Sequence, residues 1–509
     1  MKRWVIIMGC SACLPSSETP ERPGLIESGP VRCAQPGLRD LLGPVFVPDL
    51  GLDWDRQRPS GISEESYRRG DPLGIGDLDG DGRLDLVISD RSAVQIYLQQ
   101  SDCQLVRAHE DFTASTQEGT PGAVSLIDLD EDGWLDIYVG FAAGDNRYYR
   151  NLEGTGFEDM TAERGLESAD QKPRAFSWGD SDGDGDQDLF VGNDRLESQP
   201  PDPGLDNTWL ENGGSEGFID VTERLSTEVL DGYTKNVAWL DLDSDGDQDL
   251  YVLNHMPFYS GNFLLRNDGS GSLEAWEGTG LDLSMSSMGL DVADLNGDGV
   301  MDLAIAGVME VAVLLSTDGP SWVRADTALG IGLDGVDRVT AWSTALADLD
   351  NDGRLDIFTT MGPSDPGEDP GFIDPEEQPD GLWIQQSDGQ FSQEAESWSL
   401  DQWTATRVAA VVDLNGDGWL DVIKSSRKGR TDIWLAHCGS EAWTQVMLNG
   451  PPGNPHGLGA RVTMEVDGQI FTRWMTSGAP GYLLSAPYRL LFGLGAAVSI
   501  DSMHVEWSD

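Results

Sequence analysis

Positive charge is scarce in this sequence. Its 32 Lys and Arg residues face 89 Asp and Glu residues, which gives a formal net charge of −57 at pH 7. A surface of this charge repels nucleic acid and anionic lipid headgroups, so neither is expected as a partner. No run beyond the N-terminus is long and apolar enough to span a bilayer. Any membrane attachment is therefore expected to be through a lipid anchor only.

Signatures of catalysis are also sparse. The five histidines show no metal-ligand spacing, and no His-Glu-x-x-His motif occurs. Acidic pairs are plentiful and would suit a glycosidase or a lyase, but no spacing singles out one pair. We therefore expect a protein that is not an enzyme, with a carbohydrate-active enzyme of the cell surface as the alternative.

What the sequence does contain is one acidic motif, the phrase given below, which is repeated seven times. The phrase Asp-x-Asp/Asn-x-Asp-Gly-x-x-Asp begins at Asp77, Asp128, Asp180, Asp241, Asp294, Asp348 and Asp413. We number these loops 1 to 7. The starts lie 51 to 65 residues apart, a period that is typical of propellers and other repeat arrays.

The chemistry of the phrase predicts Ca²⁺ binding. Carboxylates at positions 1, 3, 5 and 9 and a backbone carbonyl at position 7 supply the hard oxygen ligands that Ca²⁺ prefers, and Gly at position 6 permits a positive φ. The predicted ligands are Asp77, Asp79, Asp81, Arg83 and Asp85; Asp128, Asp130, Asp132, Trp134 and Asp136; Asp180, Asp182, Asp184, Asp186 and Asp188; Asp241, Asp243, Asp245, Asp247 and Asp249; Asp294, Asn296, Asp298, Val300 and Asp302; Asp348, Asp350, Asp352, Arg354 and Asp356; Asp413, Asn415, Asp417, Trp419 and Asp421. Loops 5 and 7 carry Asn296 and Asn415 and are expected to bind more weakly.

The alternative for such a loop is an EF-hand. That site needs a bidentate Glu at position 12 and a helix on each side. Position 12 is never acidic here, and the flanks are short β-branched and aromatic runs such as Ile137-Tyr-Val139, which are typical of buried strands. With four strands per repeat, the sequence predicts an all-β, seven-bladed β-propeller over residues 40–439, in which residues 46–52 supply the last strand of blade seven.

The N-terminus resembles an export signal. Lys2-Arg3 precedes a short apolar run, and the cysteines that follow predict a lipobox within residues 1–13, with lipidation at Cys10 or Cys13. Simple cleavage and secretion is the alternative. Residues 14–39 form a Pro/Ser/Glu-rich tether. Modest-affinity Ca²⁺ loops also suit the millimolar Ca²⁺ outside cells, so an outer-membrane or cell-surface lipoprotein, or a secreted protein, is expected.

Three further cysteines are an odd number for an oxidising compartment. Cys103 and Cys438 follow equivalent strands in the first and last repeats, and Cys33 precedes the proposed closing strand. A disulfide between Cys33 and Cys438 at the seam of the ring is the hypothesis.

Residues 440–509 have a different character. Alternating stretches at Arg461–Val466 and Ile470–Trp474 predict a small β domain, and the phrases Gly457-Leu-Gly-Ala-Arg-Val462 and Phe492-Gly-Leu-Gly495 are distinctive. With the Asp repeats, they resemble the FG-GAP/VCBS-repeat propellers that end in an ASPIC/UnbV domain, a cartilage acidic protein-like group with many bacterial exported members. The resemblance implies a Ca²⁺-stabilised extracellular propeller that acts in adhesion or in protein or glycan binding. A purely structural surface spacer is another alternative.

The expected ligand site lies at the end of the propeller opposite the Ca²⁺ loops. If those loops join strands one and two of each blade, connections between strands two and three lie at the other end. The long insertions Asp194–Asp206, His255–Gly261 and Pro363–Gly381 fall there, and Phe258, Tyr259 and Phe372 are candidate contacts. Merely tolerated insertions are the alternative.

Overall fold

A computed structural model describes most of the repeat region and the terminal domain. The described residues are 4–8, 71–90, 93–101, 104–108, 121–141, 144–167, 171–194, 206–230, 233–255, 261–317, 319–333, 339–363, 378–401, 403–426, 431–436, 439–478 and 481–508. The candidate modified or paired cysteines (Cys10, Cys13, Cys33 and Cys438), the closing segment 46–52, and Phe258, Tyr259 and Phe372 lie outside them, so these hypotheses stay predictions.

The regular secondary structure of the described residues consists almost entirely of strands. In chain order these are β1 (Trp4–Met8), β2 (Leu73–Gly76), β3 (Asp85–Asp90), β4 (Ala93–Ser101), β5 (Gln104–Arg107), β6 (Pro121–Ile127), β7 (Asp136–Phe141), β8 (Arg147–Asn151), β9 (Phe157–Asp159), β10 (Pro173–Gly179), β11 (Asp188–Asn193), β12 (Thr208–Asn212), β13 (Phe218–Asp220), β14 (Thr234–Leu240), β15 (Asp249–Asn254), β16 (Phe263–Asn267), β17 (Leu273–Ala275), β18 (Ser287–Ala293), β19 (Asp302–Gly307), β20 (Glu310–Thr317), β21 (Gly319–Arg324), β22 (Ala341–Ala347), β23 (Asp356–Met361), β24 (Gln378–Pro379), β25 (Gly381–Gln385), β26 (Phe391–Gln393), β27 (Trp403–Thr404), β28 (Thr406–Val412), β29 (Asp421–Ser426), β30 (Thr431–Trp434), β31 (Ala442–Asn449), β32 (Arg461–Val466), β33 (Gln469–Trp474), β34 (Leu484–Ser485), β35 (Leu490–Gly495) and β36 (Ser502–Glu506). Three single-turn helices, α1 (Thr161–Arg164), α2 (Thr227–Leu230) and α3 (Asp326–Leu329), lie between blades.

Seven antiparallel sheets follow one another along the repeat region. Blades 1 to 5 contain β2–β5, β6–β9, β10–β13, β14–β17 and β18–β21; blade 6 contains β22, β23, β25 and β26; blade 7 contains β28–β30. In each blade the Asp loop joins the first strand to the second, as predicted. The first strands β6, β10, β14 and β18 are buried along their whole length, because they line the axis of the ring.

The first and last blades meet, which closes the ring. Leu73 and Ile75 of blade 1 share a hydrophobic cluster with Val408 and Ala410 of blade 7. The Gln99 Nε2 of blade 1 donates to the Leu414 carbonyl of blade 7 at 3.0 Å. The predicted all-β propeller is therefore confirmed. The blade number stays a prediction, because the seventh sheet has three strands within the described residues.

The insertions begin and end at the predicted face. They connect β11 to β12, β15 to β16 and β23 to β25, which places their ends opposite the Asp loops. We call these two sides the metal-loop face and the opposite face. The third insertion is shorter than predicted, because β24 pairs with β27 and β25 already begins at Gly381. Among the described residues, no helix has the length and apolar character needed to cross a lipid bilayer.

The terminal domain consists of two small sheets on the metal-loop face. One has the order β1-β31-β35 and the other the order β33-β32-β36. The strand β1 comes from the N-terminal segment predicted as an export signal and pairs along β31, so cleavage of that signal would remove it from the sheet. The predicted strands are confirmed, with β33 beginning one residue earlier at Gln469. Val446, Val462 and Phe492 belong to one cluster with Tyr138 and Trp178 of blades 2 and 3. The small domain therefore shares a core with the propeller.

A segment of the terminal domain fills the channel at the axis of the ring. We call residues 476–478 and 481–489 the plug. The plug contacts every blade. In blade 1, β34 pairs in parallel with β2; in blades 2 and 3, Leu126 N donates to Ser485 Oγ and Ser177 Oγ donates to the Ser477 carbonyl. In blades 4 to 7, Asn236 Nδ2 donates to the Gly481 carbonyl, Gly481 N donates to the Leu290 carbonyl, Tyr482 N donates to Ser343 Oγ, and Tyr482 packs in one cluster with Val408 and Ala410. No pattern in the sequence predicts this arrangement.

Candidate metal centres

Each Asp loop is folded around its first carboxylate. In loop 1, Asp77 Oδ1 accepts from Gly80 N and Asp77 Oδ2 accepts from Gly82 N, both at 2.8 Å. Gly82 has a φ of 88°, in the left-handed region that favours glycine. The bond from the glycine at position 6 to the first Asp recurs in all seven loops. The predicted role of this glycine is confirmed.

The carboxylate at position 9 of each loop accepts hydrogen bonds from two separate backbone segments of its blade. Asp85 is fully buried; its Oδ2 accepts from Leu78 N and its Oδ1 accepts from Gln99 N, each at 2.8 Å. The equivalent pair of bonds occurs in every blade. Position 9 therefore ties the loop to the third strand, in addition to its predicted role as a ligand.

Five loops bring three carboxylates together. The groups, each within 4.8 Å, are Asp77, Asp79 and Asp85; Asp128, Asp130 and Asp136; Asp180, Asp182 and Asp188; Asp241, Asp243 and Asp245; and Asp348, Asp350 and Asp356. Position 5 is absent from four of these groups. In loops 1 and 6 its carboxylates, Asp81 and Asp352, instead contact the arginines at position 7, Arg83 and Arg354. In these two loops the arginine at position 7 would compete with a bound cation for the carboxylate at position 5.

Loops 5 and 7 have no such group of three acidic side chains among the described residues. In these loops the asparagine at position 3 donates to the carboxylate at position 5. The distance from Asn296 Nδ2 to Asp298 Oδ2 and from Asn415 Nδ2 to Asp417 Oδ2 is 2.9 Å in both cases. The amide thus closes the loop through a hydrogen bond.

The residues fit a divalent cation with oxygen ligands. Asp130 Oδ1, Asp243 Oδ1 and Asp294 Oδ1 are buried oxygens with no hydrogen bond of good geometry among the described residues. Burial, reinforced by neighbouring carboxylates, raises the pKa of Asp128 and Asp241 to about 6. A bound cation would supply the missing partner of these oxygens and offset the repulsion between the carboxylates.

The loops are also linked from blade to blade, a feature that the sequence reading missed. Asn151 Nδ2 of blade 2 donates to the Leu78 carbonyl in loop 1, and Asn267 Nδ2 of blade 4 donates to the Ser181 carbonyl in loop 3, both at 3.0 Å. Gln99 and Gln385 make the same bond from blades 1 and 6. The sequence signal that could have predicted these links is an Asn or Gln that recurs at the same position of the third strand in these blades.

The terminal domain rests directly on these loops. Arg489 Nη2 donates to the Gly82 carbonyl of loop 1 at 3.1 Å, and Arg461 Nη2 donates to the Gly299 carbonyl of loop 5 at 2.6 Å. Gly495 N donates to the Asn351 carbonyl of loop 6 at 2.8 Å. The metal-loop face is therefore also the surface on which the terminal domain docks.

One phrase typical of serine hydrolases occurs at 213–217, where the sequence reads Gly-x-Ser-x-Gly. A catalytic serine in that motif stands on a strand-to-helix turn and needs a histidine. Here the phrase forms a 3₁₀ turn, Gly214–Glu216, between β12 and β13. Ser215 is exposed, so the context of the motif is missing.

Comparisons with known proteins agree with this architecture. A family model described as FG-GAP-like repeat matches residues 77–139, 128–191 and 241–305, and one described as ASPIC and UnbV matches residues 450–509. Cartilage acidic protein 1 from Xenopus tropicalis is 22% identical over 470 residues, covering 86% of this chain and 70% of the relative. The Homo sapiens protein is also 22% identical over 470 residues, covering 86% of this chain and 68% of the relative.

Solved structures are more distant. An Agrocybe aegerita lectin that recognises non-reducing terminal N-acetylglucosamine has a TM-score of 0.42 and 17% identity, covering 64% of this chain and 79% of the lectin. BBS1N in complex with ARL6DN has a TM-score of 0.41 and 12% identity, covering 71% of this chain and 90% of that structure's chain. The chain therefore contains FG-GAP-like repeats followed by a C-terminal ASPIC and UnbV domain, and it is distantly homologous to cartilage acidic protein 1.

Proposed function

We propose that this protein is an exported, Ca²⁺-binding β-propeller that acts as an adhesion or ligand-binding module for a protein or a glycan, and that it is not an enzyme. The ions would be held by the carboxylates of the Asp loops, up to seven in number, and their role is to stabilise the scaffold. The observation that carries the Ca²⁺ assignment is the set of buried carboxylate oxygens without partners in loops 2, 4 and 5.

The ligand is proposed to bind at the opposite face. The terminal domain occupies the metal-loop face, and the plug fills the channel at the axis of the ring. These two facts support the opposite face, where the three insertions begin and end. Export, by a cleaved signal or as a lipoprotein at Cys10 or Cys13, is part of the proposal and rests on the N-terminal sequence.

Binding is tested by screening the mature chain on protein and glycan arrays, in Ca²⁺ and in chelator. We expect Ca²⁺-dependent binding without turnover of the captured ligand. Replacing the insertions at 195–205, 256–260 and 364–377 by short turns should abolish binding. The control shortens the hairpin at 268–271, which joins β16 to β17 on the metal-loop face beside Asp182 and Asp247, and the Ca²⁺ binding of this control chain is measured in parallel. Unchanged binding after the three replacements would contradict the proposed face, and turnover would favour the enzyme.

A further inference from the structure

Loop 6 differs from the other metal loops in how the terminal domain covers it. Asp348 and Asp356 are only 2% and 1% exposed, and Asn351 is fully buried. By contrast, Asp241 at position 1 of loop 4 is partly exposed, whereas the carboxylate at position 9 is buried in both loops, as Asp249 and Asp356. Both loops hold a group of three acidic side chains, from positions 1, 3 and 9 in loop 6 and from positions 1, 3 and 5 in loop 4, and access differs at position 1.

Strand β35 of the terminal domain closes loop 6. A Cβ atom added at Gly493 would overlap the Asp348 carboxylate and lie 2.6 Å from the Asn351 Cα. Gly493 is therefore glycine because the backbone of β35 passes directly over the first ligand of the loop. The bond from Gly495 N to the Asn351 carbonyl fixes the strand at this place.

A second strand seals the neighbouring side. A Cβ atom at Gly353, the position 6 glycine of loop 6, would lie 2.8 Å from Phe471 Cε1 of β33. Asn351 Nδ2 also donates to the Gly418 carbonyl of loop 7 at 2.8 Å, so the side towards blade 7 is bridged as well. The ring of Phe471, the backbone of β35 and loop 7 lie against three sides of the carboxylate group, in which Asp348 and Asp356 are buried and Asp350 is partly exposed.

We propose that loop 6 and the terminal domain together form a closed metal site, which Ca²⁺ leaves only when the terminal domain lifts from the propeller. The proposal rests on the proposed Ca²⁺ binding and deepens it. An ion in loop 4 leaves through solvent, whereas an ion in loop 6 must wait for β35 and Phe471 to move. Gly493 and Phe471 act as positioning residues, because they hold the terminal domain over the ligands without binding the ion themselves.

Exchange of radioactive Ca²⁺ tests this on the full mature chain. The protein is loaded with ⁴⁵Ca²⁺ and diluted into excess unlabelled Ca²⁺, and the label retained per chain is followed with time. We expect a fast phase and a slow phase. Asp348→Ala should remove the slow phase, and Asp241→Ala in loop 4 should reduce only the fast phase.

Two further variants weaken the contact of the terminal domain with loop 6; we call β35 and Phe471, which cover that loop, the lid. Gly493→Ala should accelerate the slow phase by about tenfold or more, which corresponds to a loss of about 1.4 kcal/mol of docking free energy. Gly156→Ala is the matched control, because that glycine has open space around it and no positive φ. If Gly493→Ala does not fold, Phe471→Ala removes a contact of the lid while leaving β35 unchanged, and the same acceleration is expected.

The outcomes separate the two proposals. A chain that binds no Ca²⁺ overturns the proposed function. A chain that binds Ca²⁺ but shows only fast exchange, or a slow phase that survives Gly493→Ala and Phe471→Ala, overturns the closed site and leaves Ca²⁺ binding intact.

Discussion

The two faces of the propeller are held together by different chemistry. On the metal-loop face, seven loops of equal length gather carboxylates, and the terminal domain rests on them. On the opposite face, buried ion pairs join the blades: Lys235 Nζ of blade 4 lies 2.9 Å from Asp194 Oδ2 of blade 3, and Lys424 Nζ of blade 7 lies 2.6 Å from Asp380 Oδ2 of blade 6. If the proposed ions are bound, the metal-loop face depends on a diffusible cation, whereas the opposite face carries its own counter-charges.

Removal of metal should have the largest effect on stability, and it should affect the metal-loop face more than the opposite face. Each ion present at one hundred times its dissociation constant stabilises the fold by about 2.7 kcal/mol, so several ions together contribute more than any single side chain. We expect excess chelator to lower the melting temperature by about 10 °C or more. Hydrogen exchange should rise first in the Asp loops and in β31–β36. An unchanged melting curve would mean that the loops do not bind metal under these conditions.

Breaking an ion pair on the opposite face should have the next largest effect. Asp380→Asn leaves the buried Lys424 ammonium without its carboxylate, which typically costs about 3–5 kcal/mol of unfolding free energy. The loss should be the same in Ca²⁺ and in chelator, because the pair lies away from the loops. Adding Lys424→Met should restore much of the stability. Glu310→Gln in the exposed pair with Arg324 is the control and should cost less than about 1 kcal/mol.

Protons should partly replace the metal in the chelated protein. Burial raises the pKa of Asp85 to about 7 and that of Asp249 to about 8. Because these folded-state values lie above the unfolded ones, protonation stabilises the metal-free fold below about pH 4, and this stabilisation is lost as the pH rises through 7 to 8. We expect the chelated protein to be about 2 kcal/mol more stable at pH 5.5 than at pH 8 in urea unfolding. The order should reverse in Ca²⁺, since protons compete with the ion. The same order in both conditions would contradict a shared carboxylate site.

The sequence predicted the repeated face better than the contacts between distant segments. The spacing of Asp, Gly and apolar residues is local, so it indicated the loops, the first strands and the terminal strands. The plug was missed because its partners are remote in sequence: Ser477 bonds to Ser177, 300 residues away. Gly493 was noticed as part of a distinctive phrase, but only the fold explains it, because its constraint comes from Asp348 of another domain.

The smallest expected effect concerns the difference between loops 5 and 7 and the five all-Asp loops. Asn296→Asp replaces an amide that donates to Asp298 by a carboxylate that repels it. In chelator we therefore expect a loss of about 1 kcal/mol of unfolding free energy, because a hydrogen bond is exchanged for like charges. In Ca²⁺ the added charge should strengthen metal binding and turn the loss into a small gain. Asp79→Asn makes the reverse change in loop 1 and should show the opposite signs in urea unfolding. If Asn296→Asp destabilises the protein equally in both conditions, loop 5 is closed by its hydrogen bond and holds no ion. The face would then contain at least one Asp loop that folds without metal.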